Sequence, residues 1–322
     1  MSFEQPGIIS SFKQGYKTVN EKPYLILFPL GLDLLYLFGP KIKVATLLGK
    51  ALDSLPTPAL ADNLMKQWQS GMTLLRETME QFTVTLALRT FPLGTPSLFS
   101  NRLFETGLLK NTLSLDLNTL PQLFLTLIVL FILGILLTFV FYQLIASAID
   151  TEAIAKSKQG FFNKFLSFLG IPFVFLLYAL LYLLPGLFVI GLVAVFSPAF
   201  ASILNVALIF IFIIRIIPMV FSPHAIVQDD KTLKASLVLS RMAVKPYYLK
   251  VANFLMLSIG LSYLSNLLWN LPKDGSWFLL VGALGHALIT TTILVASFHF
   301  FNLSKKLATQ KLKTSEEPVN LA

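Results

Sequence analysis

Three ionisable residues fall inside long apolar runs of the chain: Asp33, Arg215 and His286. Titratable groups in hydrocarbon are costly, and where they persist they pair, snorkel or line a polar path. At 1.5 Å per helical residue, Asp33 lies about 14 Å from the start of its run, Arg215 about 10 Å from the end of its own, and His286 about 14 Å from the opposite face. The three therefore fall near one depth. One reading is a midplane polar site in which Asp33 pairs with Arg215 and His286 titrates. The other keeps them apart. Arg215 then snorkels to headgroups, Asp33 bonds a Ser or backbone partner, and His286 stays neutral beside Thr290. The second reading weighs more, because only these three occur and none belongs to a spaced motif.

The remaining reactive types offer less. His224, His286 and His299 sit on separate segments, with no HExxH and no i, i+4 pair, so a metal site is not expected. The chain has no Cys, which excludes disulfides, thiolate ligands and Cys nucleophiles from it. Asp229-Asp230 has the form of the acidic pair in metal-dependent phosphoryl enzymes, but no third carboxylate follows at turn spacing. A helix cap explains the pair better, since Asp at a helix start accepts orphan N–H bonds and meets the favourable end of the dipole. Neither GxSxG nor a P-loop is present. No catalytic residue and no cofactor is expected, and the chain reads as non-enzymatic.

The elements that carry these residues follow from composition. The 322 residues are 55% hydrophobic and 13% charged, with 29 Phe and a mean hydropathy of +0.75, whereas soluble domains carry about 25% charge. An ordinary soluble domain is ruled out. The apolar runs are continuous rather than alternating, which selects helices over a transmembrane barrel. The fold class expected is all-α, a polytopic transmembrane helical bundle of about six spans with an extracytoplasmic amphipathic helical cap.

The boundaries are as follows. Residues 1–23 form an N-terminal helix, cytoplasmic or interfacial, with Ile8, Ile9, Phe12, Tyr16 and Val19 at helical spacing, and the segment is retained rather than cleaved. Residues 24–40 form the first span. Residues 41–120 are an extracytoplasmic helical insertion with two amphipathic faces. One carries Val44, Leu47, Leu48, Ala51 and Leu52, the other Leu60, Leu64, Trp68, Met72, Leu75, Met79 and Phe82, and a small packed cap is preferred. Residues 121–304 form a five-span bundle that includes a cytoplasmic amphipathic helix at 229–246, and residues 305–322 form a basic tail. Within 165–222, two tilted spans turning near Ser197-Pro198 compete with three short ones that also break at Pro185-Gly186. Gly282, Gly285 and Ala296 are small residues suited to close helix approach.

Charge gives the orientation. Six spans with a cytoplasmic N-terminus put fifteen basic residues on the cytoplasmic side and Lys273 alone in the short opposite loop, the 80-residue insertion being too long to vote. Both termini are then cytoplasmic. The net charge of +9 and the helix carrying Lys231, Lys234 and Arg241 point to anionic membrane lipids as partners, with a protein partner or a second copy also open and nucleic acid excluded.

The stretch Pro218-Met-Val-Phe-Ser-Pro223-His-Ala-Ile-Val-Gln-Asp229-Asp230-Lys-Thr-Leu-Lys-Ala235-Ser-Leu-Val-Leu-Ser240, with the opening Phe12-Lys-Gln-Gly-Tyr-Lys through Pro23 and Pro29, resembles the glycerophosphoryl diester phosphodiesterase membrane-domain superfamily and related uncharacterised bacterial six-span proteins. The resemblance implies a helical membrane module without activity of its own, in the bacterial cytoplasmic membrane. No soluble phosphodiesterase domain follows Lys306, and the 41–120 insertion departs from the pattern. No catalytic residue carries over. The expected role is a lipid-contacting scaffold or partner subunit, and the alternative is a permease or transporter component with Asp33, Arg215 and His286 at a midplane site.

Overall fold

The computed structural model describes residues 6–56, 62–90, 93–101, 113–150, 159–273 and 275–316. Leu60, Arg102, Lys110, Glu152, Lys156 and Lys158 lie outside the described residues. Among the described residues, five helical stretches are long and apolar enough to cross a membrane: Leu120–Ile149, Phe161–Phe196, Pro198–Asp229, Leu233–Trp269 and Phe278–Lys311. The chain is a helical, multi-pass membrane protein. The expected first span is shorter than the rest. Its 3-10 turn Pro23–Ile26 and helix Leu27–Phe38 give 16 residues, apolar apart from Asp33, about 24 Å at 1.5 Å each, against a hydrocarbon core of about 30 Å.

The chain divides into two compact units, residues 1–25, 139–263 and 291–322 forming one and residues 26–138 and 264–290 the other. In the first, helix α1 (Ile8–Glu21) buries Ser11, Gly15 and Val19, leaving Ile9 and Tyr16 exposed. The buried stripe runs at i, i+4, i+8, and its small residues bring backbones together: a Cβ on Gly15 would lie 2.8 Å from Ala296 N and Thr292 O. Phe12 stacks on Phe254 at 5.3 Å. The apolar positions read as an interfacial face thus flank a docked helix.

The 165–222 stretch resolves as two helices. Pro172 and Pro185 both stay inside one of them (Phe161–Phe196), because lipid offers the backbone no better state than a helix that forgoes one bond at each proline. The break comes at Ser197. That residue turns extended (φ −151°, ψ 95°) and its hydroxyl accepts from Phe200 N at 3.4 Å, while Pro198 takes the first helical position, where no N–H is needed. The resulting hairpin closes tightly at Gly186, where a Cβ would meet the Leu208 side chain at 2.6 Å.

Within residues 229–246 the structure has the α-helix Leu233–Val244; the helix Ser222–Asp229 precedes it, and Asp230 between them is in the left-handed region (φ 57°). The last helix runs without interruption from Phe278 to Glu316, so the basic segment that begins at Lys305 continues this helix as far as Glu316.

The second unit holds the insertion. Strand β1 (Lys41–Lys43) pairs in parallel with β2 (Ser114–Asp116), matching Lys41 to Ser114 and Lys43 to Asp116. The other edge of β1 is also satisfied: Ile42 N donates to Thr85 Oγ1 at 3.0 Å, and Thr83 Oγ1 donates to Ile42 O at 3.1 Å. Helix Ala45–Asp53 has no cap of its own. The Asp116 carboxylate supplies it by accepting Thr46 N at 3.1 Å. Helix Asp62–Gln81 packs on that helix and is tied to it by the Arg76–Asp53 ion pair. These contacts join the strand pair and the two helices among the described residues of the segment. The unit's core gathers Leu32, Tyr36, Leu37, Val84, Leu88, Leu98, Phe99, Leu130, Leu279 and Ala283.

A Cβ on Gly134 would collide with the Leu88 carbonyl oxygen and lie 2.9 Å from Thr90 Cγ2, whereas Gly191 has open space around it. Gly134→Ala is expected to lower stability by about 1–3 kcal/mol. Gly191→Ala should leave it unchanged or slightly raised. Thermal unfolding of the two purified variants in detergent reads the contrast.

Candidate functional site

In the second unit, Asp33 sits mid-helix on Leu27–Phe38 and is wholly buried. One carboxylate oxygen accepts three donors of a single loop: Ser97 Oγ at 2.5 Å, Leu98 N at 2.9 Å and Phe99 N at 3.4 Å. These are the orphan donors where the 3-10 turn Phe99–Asn101 begins. Asp33 therefore caps, from another helix, a turn about 65 residues downstream. The expectation that it finds a Ser and backbone partner describes this geometry. Arg215 belongs to the first unit, exposed on the last turn of Pro198–Ile216.

The arginine within electrostatic reach of Asp33 is Arg89, which also acts on Tyr36 and His286. Its guanidinium donates to Ser100 Oγ at 2.8 Å, on the same loop that Asp33 holds. Desolvation pulls the Arg89 guanidinium below its ordinary pKa, and the neighbouring Tyr36 and Asp33 oxygens act in the opposite direction. Sequence reasoning missed Arg89 because it sits in a hydrophilic stretch, after the 3-10 turn Val84–Leu88, where an arginine carries no surprise. Its only available signal is that the apolar run Val84–Leu88 delivers it directly.

His286 is 2% exposed and lies on the helix that begins at Phe278. Thr290 Oγ1 donates to its carbonyl at 2.7 Å, not to its ring. Trp269 packs on the same helix: Cβ atoms on Gly285 and Gly282 would meet the Trp269 indole and the Trp269 carbonyl, so both glycines make room for the tryptophan. Among the buried polar atoms of this unit, Asp33 Oδ2, Ser265 Oγ, Asn266 Oδ1, Trp269 Nε1 and His286 Nδ1 have no hydrogen-bond partner among the described residues. Asp33 and Tyr36 share a helix face at i, i+3. The cluster is an electrostatic anchor with polar capacity left over.

The first unit has its own polar set. His224 is buried, bonded through Nε2 to Ser297 Oγ at 2.7 Å, and ringed by Phe298 at 4.3 Å, Phe221 at 5.3 Å, Tyr142 at 5.5 Å and Phe301 at 5.9 Å. His299 bonds Thr18 at 3.0 Å. No group of three His, Cys, Asp or Glu able to hold a metal occurs among the described residues. Asp229 and Asp230 do not cap the following helix, whose N-cap is Thr232. They close ion pairs, Asp229 with Lys305 and Asp230 with the buried Lys164 at 3.0 Å, while Gln159 N donates to Asp230 Oδ2 at 3.1 Å. The pair is thus a clamp at a helix end. Lys231, Lys234 and Arg241 are exposed.

No family model, no curated protein and no solved structure matches this chain.

Removing the Asp33 carboxylate leaves the buried donors of its loop without an acceptor. Asp33→Ala is expected to destabilise by about 2–4 kcal/mol, and Asp33→Asn, which keeps an acceptor oxygen, by about half that. Arg215→Gln should stay within about 0.5 kcal/mol of the parent. Denaturant titration in mixed micelles distinguishes the three.

Proposed function

We propose that the chain is a non-enzymatic integral membrane protein, a lipid-contacting scaffold or partner subunit. The observation that carries the reading is the hairpin formed by Phe161–Phe196 and Pro198–Ile216: the most apolar windows of the spans that contain these two helices are 0% and 6% buried, against 44% for the last span. Such a hairpin offers its sides to acyl chains or to the helices of a partner. The handling of the three membrane-region ionisable residues supports the same reading. Asp33 is bonded to a loop, Arg215 is exposed at a helix end, and His286 is buried.

Anionic lipids as partners, residence in the bacterial cytoplasmic membrane with both termini cytoplasmic, and kinship with the superfamily resembled above belong to the same proposal. The permease reading draws on one observation, the unpartnered polar atoms around Asp33 and His286.

Thermal scans of the purified protein against lipids and small polar solutes separate the two readings, because a ligand of the folded state raises its apparent stability. Stabilisation by lipids alone, equal in the parent and Asp33→Asn, is expected. A solute-induced shift that disappears in Asp33→Asn overturns the scaffold in favour of the permease. The absence of Cys makes orientation directly testable. Single cysteines at Ser10 and Ser315 are expected to resist a membrane-impermeant maleimide in intact cells, and one at Ser70 to react; labelling of Ser10 and Ser315 on opposite faces sinks the six-crossing topology.

A further inference from the structure

A cleft of about 490 Å³ in the first unit is lined by Asp229, Lys231, Leu239 and Met242 on one side and by Lys305 and Lys306 of the last helix on the other. Its charges are unequal in role. Lys305 is held by Asp229 and lies 5.3 Å over the Phe301 ring, so its position is fixed and its charge largely answered. Lys231 and Lys306 are exposed, and neither side chain has a hydrogen bond or ion pair among the described residues. Two unanswered cations therefore border the cleft. Leu239 and Met242, both half-buried, give it an apolar wall.

Depth matters as much as charge. The apolar stretch of the last helix ends at Leu303, and Lys305 and Lys306 follow within one turn, where a span passes from hydrocarbon to headgroups. A ligand here meets positive charge and methyl groups together. That combination fits an amphiphile with one phosphate negative charge better than a fully hydrated anion, whose affinity gains nothing from the Leu239 and Met242 wall.

We propose that this cleft is a binding site for one anionic glycerophospholipid, its phosphate between Lys231 and Lys306 and its first acyl methylenes on Leu239 and Met242. The site rests on the lipid-contacting reading of the protein and deepens it: the contact is one lipid in a formed cleft, not a diffuse attraction to the surface. Asp229 is the positioning residue. Through Lys305 it ties the end of the helix Ser222–Asp229 to the last helix and so sets the distance between the two walls.

The test uses the full chain in an uncharged detergent, titrated with dioctanoyl phosphatidylglycerol, dioctanoyl phosphatidylcholine and inorganic phosphate. The parent is compared with Lys231→Gln/Lys306→Gln and with Lys234→Gln/Arg241→Gln, which removes two exposed charges of the neighbouring helix outside the cleft. Loss of both cleft lysines is expected to weaken phosphatidylglycerol about thirty-fold, with the second pair changing it less than about three-fold and phosphatidylcholine binding weakly throughout. Because all four residues are exposed, unliganded melting temperatures should agree, and this is checked alongside. Equal weakening in both double variants overturns the cleft and leaves general lipid contact standing. Inorganic phosphate binding as tightly as the lipid overturns the choice of a lipid. A parent that binds no anionic lipid overturns both the site and the reading beneath it.

Discussion

Inside hydrocarbon no water completes the hydrogen bonds of the main chain, so each N–H and C=O must find its partner within the protein. The five long helices meet this demand along their own axes, and prolines at 172 and 185 remain inside one of them for the same reason. Where the chain leaves helical geometry beside a span, it needs a side chain to take over. Asp33 does this for Leu98 and Phe99, Thr83 and Thr85 for the edge of the strand Lys41–Lys43, and Asp116 for the start of the helix Ala45–Asp53. A carboxylate within an apolar helix, costly in isolation, becomes the means by which an irregular loop can lie against that helix.

The same economy governs the contacts between helices. Acyl chains compete with side chains for apolar surface, so helices gain by bringing backbones close rather than by excluding water. Gly15 against Ala296, Gly134 against the Leu88 carbonyl, and Gly282 and Gly285 around Trp269 are instances in which one missing methyl group sets the separation. Aromatic rings fill the wider spaces. Phe254 and Phe300 stack at 4.3 Å, and Phe221, Phe298 and Phe301 gather with Tyr142 around His224.

Hydropathy made the long helices legible, along with the turn at Ser197-Pro198 and the exposed face bearing Lys231, Lys234 and Arg241. It misjudged features that depend on distant partners. The strand pair is only three residues a side, with one central hydrophobe in each strand, Ile42 and Leu115, and no sequence alternation of that length is distinctive. The charge partner of Asp33 was sought at equal depth in another span, at Arg215, whereas Arg89 arrives from a hydrophilic stretch whose path hydropathy does not encode. Asp229 and Asp230 were read through the local rule for helix starts, but they answer lysines from distant parts of the chain, Lys305 and Lys164. Local chemistry named the right residues there and the wrong partners.

The parallel pairing of Lys41–Lys43 with Ser114–Asp116 carries a topological consequence. Parallel neighbours start side by side, so the chain that leaves after Lys43 must return to the level of Lys41 before it re-enters at Ser114. Its two ends then stand within about 10 Å of each other, one strand spacing and three residues of rise. Between those ends the described residues are held to the helices again, Ser97, Leu98 and Phe99 on Asp33 and Leu88 against Gly134. A change of chain length at 84–101 therefore shifts the groups that set helix spacing, whereas the helix Asp62–Gln81, packed on Ala45–Asp53, can vary in sequence without touching them.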